Sequence, residues 1–581
     1  MSTHNDTPRS EQSASTEANE TQISSSQSTK PAFQVVISGA LAEVVEVANN
    51  QAVIKLGGGS QSKGPSNVKV GELLILEGPS HAIIGEVSGL TVGESGNNAG
   101  TRGVITLLAS LHPKTGKLSP GVIEPPTLGG KAYRPHPDII RAVIEDRSSL
   151  IDTGKSELTL ELARPLQNPD IELSFSPEKM FGRHCAVLGT SGAGKSWSVG
   201  RLIEQIAKHK SKVILLDPTG EYEPLDERVF HVHLGKAHRS NTKSLEAALP
   251  YRDLTESDLI AIFRPSNGSQ VLKLRSAIKT LKLVALEPKL AAEGTVIKQH
   301  KPKLIFEEAL KSYKAEIDQP QNRFDISKLS LQIDFECVEP IRSQAETTCW
   351  GGINNHDQST CVSLINRIND VLGMEELKCI FKHTKLPSIF DVIERFLKDP
   401  DVSVLRISFE FLPSSHRVRE IIANSLGRFL LQKGRAGDFK QQPMIVFLDE
   451  AHQSLNTQLS DMSSEFPLEA FNIIAKEGRK YGLTMCLATQ RPRDIPDDVL
   501  SQVGTFIVHR LVNDGDRSTI ERASGTASQI LLDNLPALGP GESFFMGIDF
   551  PTPLRVRMMK PENPPKSAGP NYQRYWSEKD N

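Results

Sequence analysis

At 581 residues, with 38% apolar and 24% charged side chains, the chain has the make-up of an ordinary globular protein and length for about two to four domains. A formal net charge of -3 excludes a polycationic nucleic-acid binder overall but not a local basic channel, because steering depends on where charge sits. No run of about 18 apolar residues and no basic-then-apolar leader occurs, so the expectation is a cytoplasmic protein without a membrane partner. The six cysteines (Cys185, Cys337, Cys349, Cys361, Cys379, Cys486) contain no CxxC pair and read as free thiols; the widely spaced group from Cys337 to Cys379 is not assigned a metal.

In chain order, residues 1–31 are Ser, Thr, Glu, Gln and Asn with almost nothing apolar, a composition that cannot offset chain entropy by burial, and read as a disordered tail. Residues 32–135 carry short β-rich runs (Phe33–Ile37, Leu41–Val47, Ala52–Leu56, Leu73–Leu76, Ala82–Val87, Val104–Leu108) punctuated by Gly, Asn and Ser, the pattern of a small β-barrel. Gly57-Gly58-Gly59 has no helix after it and reads as a loop. Residues 136–180 form a connector, proline-rich at its start, with strand-like sequence near Leu158–Leu162. From 181 the apolar runs become continuous, as in buried parallel strands: His184–Leu188, Val213–Asp217, Val229–Leu234, Val404–Phe409, Met444–Asp449, Thr484–Thr489 and Thr505–His509. They divide into a first core part (181–244) and a second (401–558). Between them, 245–400 loses the strand signal and gains helical periodicity over Leu272–Leu286, Leu304–Ile317 and Ile389–Leu397, which predicts an inserted helical subdomain. Residues 559–581, rich in proline, read as an extended arm packing on a neighbouring subunit.

The chemistry concentrates at strand ends. Gly189-Thr190-Ser191-Gly192-Ala193-Gly194-Lys195-Ser196 is a complete GxxxxGKS loop, after an apolar strand and before Val199, Leu202, Ile203 and Ile206 at helical spacing. Such a loop turns backbone N–H groups toward phosphate oxygens at a helix N-terminus, adds the Lys195 charge, and lets the Ser196 hydroxyl ligate Mg²⁺. The bound species is then ATP, with Mg²⁺. Met444–Leu448 leads into Asp449 and Glu450: one carboxylate for the Mg²⁺ shell, the next to polarise an attacking water. The competing reading is a helix cap followed by a dipole-complementing acid, which the phosphate loop disfavours. Gln490, after Thr484–Thr489, is placed to sense the γ-phosphate. Asp217 and Glu221, in Asp217-Pro218-Thr219-Gly220-Glu221-Tyr222, put two more acids at the edge where open α/β sheets bind ligands; one of them serves the site, unless the segment is only a solvated turn.

Together the DPTGEY turn, the FLDEAH segment, EGRKYG at Glu477–Gly482 and LATQRP at Leu487–Pro492 resemble HerA, of the HerA and FtsK superfamily of hexameric DNA-pumping ATPases. The resemblance, spanning about Phe33–Met558, implies an α/β fold: a RecA-like P-loop motor domain with an N-terminal small β-barrel and an inserted helical subdomain. It also implies a homohexamer translocating along double-stranded DNA with a NurA-like nuclease or a defence effector on the barrel face, in DNA end processing or phage defence. Carried over by residue, Asp217 becomes a catalytic acid, Arg183 a cis-acting arginine and Arg479 a finger reaching the neighbour's nucleotide, with Arg510 and Arg517 competing for that role. Lys236, Arg239 and Lys243, with His238, sit in a loop suited to phosphate contacts in a pore. Two other functions compete: the ATPase of a conjugation or type IV secretion system, and an NTP-gated scaffold for an effector enzyme.

Overall fold

The computed structural model describes residues 39–56, 68–92, 101–145, 158–237, 243–266, 268–321, 323–339, 348–382, 385–455, 468–525, 529–550, 553–567 and 569–577. The expected strand Phe33–Ile37, the triple glycine, and His238 and Arg239 lie outside them.

The N-terminal strands are β1 (Ala42–Ala48), β2 (Gln51–Leu56), β3 (Leu73–Leu76), β4 (Ala82–Val92), β5 (Thr101–Leu111), β6 (Leu118–Pro120) and β7 (Lys131–Tyr133). They pair in the order β2-β1-β7-β3-β4-β5, and β2 closes back on β5, so six strands form a barrel with β6 appended to β5. Alternate residues point inward, and Val44, Ile54, Leu74, Leu76, Ile83, Val87 and Ile105 fill the interior. β6 and β7, three residues each, are too short to announce themselves by periodicity, yet β7 bridges β1 and β3 and completes the ring.

The motor sheet has twelve strands: β8 (Leu160–Pro165), β9 (Leu173–Phe175), β10 (His184–Leu188), β11 (Lys212–Asp217), β12 (Val229–Leu234), β13 (Leu245–Ala247), β14 (Val404–Ser408), β15 (Met444–Leu448), β16 (Leu483–Thr489), β17 (Val503–Val508), β18 (Glu542–Met546) and β19 (Leu554–Met558). Their order is β13-β12-β14-β11-β15-β16-β10-β17-β18-β19-β8-β9, parallel from β13 through β17 and antiparallel beyond. Side-chain alternation sends Cys185 and Val187 to one face, under Val199, Leu202, Ile203 and Ile206 of the helix Lys195–Ala207, and Ala186 and Leu188 to the other.

Three boundaries differ from the sequence reading. The stretch taken as connector holds the helix Pro137–Glu145 and, through β8 and β9, the outer end of the motor sheet. The insertion is continuous with the motor: β13 pairs with β12, and Leu274, Ile278, Leu364 and Ile368 share one core with Leu216, Leu234 and Leu405. The C-terminal arm lies on its own chain. Glu204, on the helix Lys195–Ala207, accepts the amides of Glu562 (2.8 Å) and Asn563 (2.6 Å), and Gly200 faces Pro561 and Pro565. No helix among the described residues is long and apolar enough to cross a membrane.

Candidate active site

The phosphate loop leaves the C-terminal end of β10 and turns into the helix Lys195–Ala207. Gly192 (φ 73°) and Gly194 (φ 118°) hold left-handed conformations that a side chain disfavours, and a Cβ on Gly189 would sit 2.6 Å from that of His509. Hydrogen bonds from the Thr190 amide (2.9 Å) and hydroxyl (3.1 Å) to the Arg510 carbonyl, and from the Gly541 amide to the Ala193 carbonyl (3.0 Å), fasten the loop on both sides. His509 supports it from below. Its burial pushes the imidazole down to about 4, so the ring is neutral near pH 7: Nδ1–H donates to the Glu542 carbonyl (2.8 Å) and Nε2 accepts from the Ser198 hydroxyl (2.8 Å).

β16 lies between β10 and β15, so the residues at the ends of these strands converge. Lys195 is buried at the start of the helix. Asp449 follows β15, with its amide on the Leu216 carbonyl of β11 (3.2 Å). Burial, then the carboxylates of Asp217, Glu450 and Glu221, push the Asp449 carboxyl well above its usual range, against the pull of Lys195. Glu450 adopts a left-handed backbone (φ 46°), a strained conformation for a residue with a side chain. Gln490 Nε2 donates to Glu450 Oε1 (3.3 Å), and His452 Nδ1 lies 3.2 Å from Glu450 Oε2 and 3.1 Å from Thr489 Oγ1. Lys195, Ser196, Asp449, Glu450 and Gln490 are thus at one edge of the sheet, as the motifs predicted.

The DPTGEY turn behaves differently from expectation. Asp217 is fully buried against Arg406 of β14 (2.7 Å) and accepts the amides of Gly220 (2.8 Å) and Tyr222 (3.1 Å), so its oxygens organise the turn. Burial raises the Glu221 carboxyl above its ordinary range, with the charges of Asp217 and Glu450 adding to the effect. Arg183 also departs from its expected cis role. It precedes β10, whereas the phosphate loop follows it, and five strand residues put about 16 Å between the two ends. There its side chain lies against Gly504 at the start of β17. Arg479, in the turn Gly478–Tyr481 leading into β16, shares that far edge, and its charge is felt by His184. Of the arginines singled out, Arg510 is the one at the phosphate edge, its Nε buried without a hydrogen-bond partner. Arg517 is engaged by Asp514 and the Leu532 carbonyl. Lys236 and Lys243 are exposed and border 238–242, with Lys236 near Glu375.

His452, His509 and Arg406 were missed. A charged residue inside the apolar strand Val404–Ser408 was the available signal for Arg406, and the nearness of His452 to Glu450 in FLDEAH was one for His452; His509 gave none, because its partners Ser198 and Glu542 come from a distant helix and strand.

Acids outnumber cations here: Asp217, Glu221, Asp449 and Glu450 stand with Lys195 and Arg406. The Tyr222 hydroxyl is buried beside Ser196 and Asp449 without a well-formed hydrogen bond. Among the described residues no three His, Cys, Asp or Glu side chains form an all-protein metal cage. An acid-rich edge with a serine hydroxyl suits a cation that completes its shell with water and substrate phosphates, the habit of Mg²⁺. The residues fit that ion.

The family models for the "Helicase HerA, central domain" and the "Helicase HerA-like C-terminal" domain match residues 160–370 and 428–545, together more than half of the chain. The chain belongs to the HerA family of P-loop ATPases. It is 26% identical over 424 residues to a "Probable helicase" of Methanocaldococcus jannaschii, covering 69% of this chain and 72% of that protein. It is 22% identical over 414 residues to the "DNA double-strand break repair helicase HerA" of Pyrococcus furiosus, covering 69% of each. Among solved structures it is similar to VirB4 of Thermoanaerobacter pseudethanolicus (14% identity, TM-score 0.39, 70% of this chain and 97% of that one). It is also similar to the bacterial conjugative coupling protein TrwB (13% identity, TM-score 0.41, 71% and 90%). The HerA matches run from β8 to β18 and so take in both halves of the phosphate edge.

Proposed function

We propose that this HerA-type ATPase is a homohexameric motor that translocates along double-stranded DNA and delivers it to a nuclease or other effector docked on the barrel, in DNA end processing or phage defence. The observation that carries this reading is the division of the nucleotide machinery between two edges of one sheet. Lys195, Ser196, Asp449, Glu450 and Gln490 share one edge, while Arg479 and Arg183 share the other, so neither of these two arginines is placed to reach the nucleotide of its own chain. A ring in which one subunit's far edge meets the next one's phosphate edge supplies it. The printed name of the Pyrococcus furiosus relative supports action on DNA ends.

In this mechanism the loop amides and Lys195 would cradle the phosphates and Ser196 and Asp449 would hold Mg²⁺, while the Arg510 carbonyl fastens the loop from within the same subunit. Bound Mg²⁺ neutralises charge on the phosphate oxygens. Glu450 takes a proton from the attacking water, Gln490 orients that carboxylate, and the neighbour's Arg479 stabilises the charge that develops on the transferred phosphoryl group. Lys236, Arg239 and Lys243 contact DNA phosphates.

Steady-state ATP hydrolysis, with and without linear duplex DNA, tests this beside Glu450→Gln, Arg479→Ala and a sizing measurement. Expected are a large ring, DNA-stimulated turnover, and losses of about 10³- to 10⁵-fold in Arg479→Ala. Tight ATP binding with negligible turnover, whatever the DNA, would replace the motor by a nucleotide-gated scaffold.

A further inference from the structure

His452 and Thr489, which take no part in the proton transfer, stand against its general base. Thr489 ends β16, is fully buried, and is held on two sides: its carbonyl accepts the Gly189 amide of the phosphate loop (3.3 Å), and its hydroxyl oxygen accepts the Arg491 amide (3.0 Å). His452 lies in the first turn of the helix Ala451–Leu455, directly after the acid pair. Its Nδ1 is 3.1 Å from Thr489 Oγ1 and 3.2 Å from Glu450 Oε2. A bare Nδ1 would turn its lone pair on a carboxylate, so Nδ1 carries the hydrogen, and that hydrogen points between the two oxygens. The bond that forms is the one to Thr489, because Glu450 Oε2 is buried without a well-formed hydrogen bond of its own. The other oxygen, Oε1, accepts from Gln490 Nε2 at 3.3 Å. With only 13% and 17% of the His452 and Glu450 side chains exposed, little water screens the attraction between the imidazole N–H and the carboxylate.

Building on the ATPase reading above, we infer that His452 is a positioning residue for Glu450: anchored on Thr489, it fixes Oε2 for the attacking water without occupying the lone pair that takes the proton. A hydrogen bond aimed squarely at Oε2 would make that oxygen a poorer base, whereas a neighbouring N–H dipole fixes its place and leaves it open. Glu450 needs such support, since it sits on a left-handed backbone (φ 46°) and Gln490 grips only the other oxygen. Because Thr489 also holds Gly189, the base and the phosphate loop are registered on the end of one strand.

The test is steady-state ATP hydrolysis by the full-length protein with MgCl₂ and linear duplex DNA, beside equilibrium binding of a fluorescent, non-hydrolysable ATP analogue and thermal melts. His452→Ala is expected to lower kcat about 10- to 100-fold, the range for a lost contact to a charged group, with analogue affinity and the melting transition kept. His452→Asn, whose amide N–H takes the place of Nδ1–H, is expected to recover most of the rate. Thr489→Val removes the anchor and is expected to lose less than His452→Ala, with Thr489→Ser restoring it. Added to His452→Ala, Thr489→Val should cost nothing further, because the chain of contacts is already broken. Native kcat in His452→Ala, an equal loss in His452→Asn, or a full second loss in the double variant overturns the inference. A change confined to analogue affinity makes His452 a binding residue and overturns it too. If His452→Ala has no melting transition, rate kept in His452→Asn and Thr489→Ser but lost in Thr489→Val supports the coupling, and any other pattern sinks it. Absence of turnover in the native chain, or equal turnover in Lys195→Ala, overturns the ATPase reading and this inference with it, whereas the His452 outcomes leave that reading standing.

Discussion

Asp449 pays for its position in stability. In the nucleotide-free chain its carboxyl sits buried beside Asp217, Glu450 and Glu221, and its raised pKa means that the folded state binds a proton more readily than the unfolded one. Stability therefore falls as pH rises from the ordinary carboxylate range through the raised value. Asp449→Asn removes the charge while keeping the shape. It is expected to raise the melting temperature of the nucleotide-free protein by about 2–4 °C, what ~1 kcal/mol produces in a domain of this size. The gain should be larger at pH 8 than at pH 5, and thermal melts at both pH values measure it. His509 titrates the other way. Its pKa is depressed to about 4 from 6.5, so the stability its neutral ring contributes is present above pH 6.5 and lost as pH falls toward 4. Motif spacing named Lys195, Ser196, Asp449 and Glu450 because their chemistry is local in sequence. The partners of Asp217 were not legible: Arg406 comes from 189 residues away, and only their contact separates a structural acid from one free to bind.

Among elements, the helix Lys195–Ala207 does three jobs at once. Its N-terminus presents the phosphate loop, its apolar stripe packs on β8, β10 and β16, and its third turn holds the arm through Glu204. Glu204 is buried, and its two oxygens satisfy two backbone amides that have no other acceptor in view. Glu204→Ala strands those amides and is expected to cost about 1–3 kcal/mol. Limited proteolysis should then cut within residues 559–577 well before the motor unfolds, whereas equal protection of the arm in both proteins would show that the prolines against Gly200 suffice. The apolar strands β10, β11, β12, β14, β15, β16 and β17 were readable from continuous hydrophobic runs. The short elements were not, since β7, β9 and β13 have three residues each and acquire strand geometry only from the neighbours that pair with them.

For the whole molecule, the separation of the two edges makes a strong statement about assembly. Arg479 is at the opposite end of the sheet from Lys195, so in the ring proposed above a subunit lacking one would still supply the other to its neighbour. Mixing Lys195→Ala chains with Arg479→Ala chains, each inactive alone, is therefore expected to restore part of the ATP turnover, since some interfaces combine a native phosphate edge with a native finger. Absence of any recovery in assemblies shown to contain both chains would place Arg479 outside the neighbour's site.

By itself the sequence determined what is local in the chain: the phosphate loop with its strand and helix, the acid pair after Met444–Leu448, the α/β character of the motor, and the β-rich N-terminal region. These rest on spacing and periodicity, which are properties of neighbouring residues. Tertiary structure alone decided that Asp217 is engaged by Arg406, that the backbone of Arg510 and not Arg183 accompanies the phosphate loop, that residues 160–175 extend the motor sheet, and that the arm returns to the helix Lys195–Ala207 of its own chain. Each of these depends on which strand lies beside which and on which end of a strand a side chain occupies, and long-range pairing sets both.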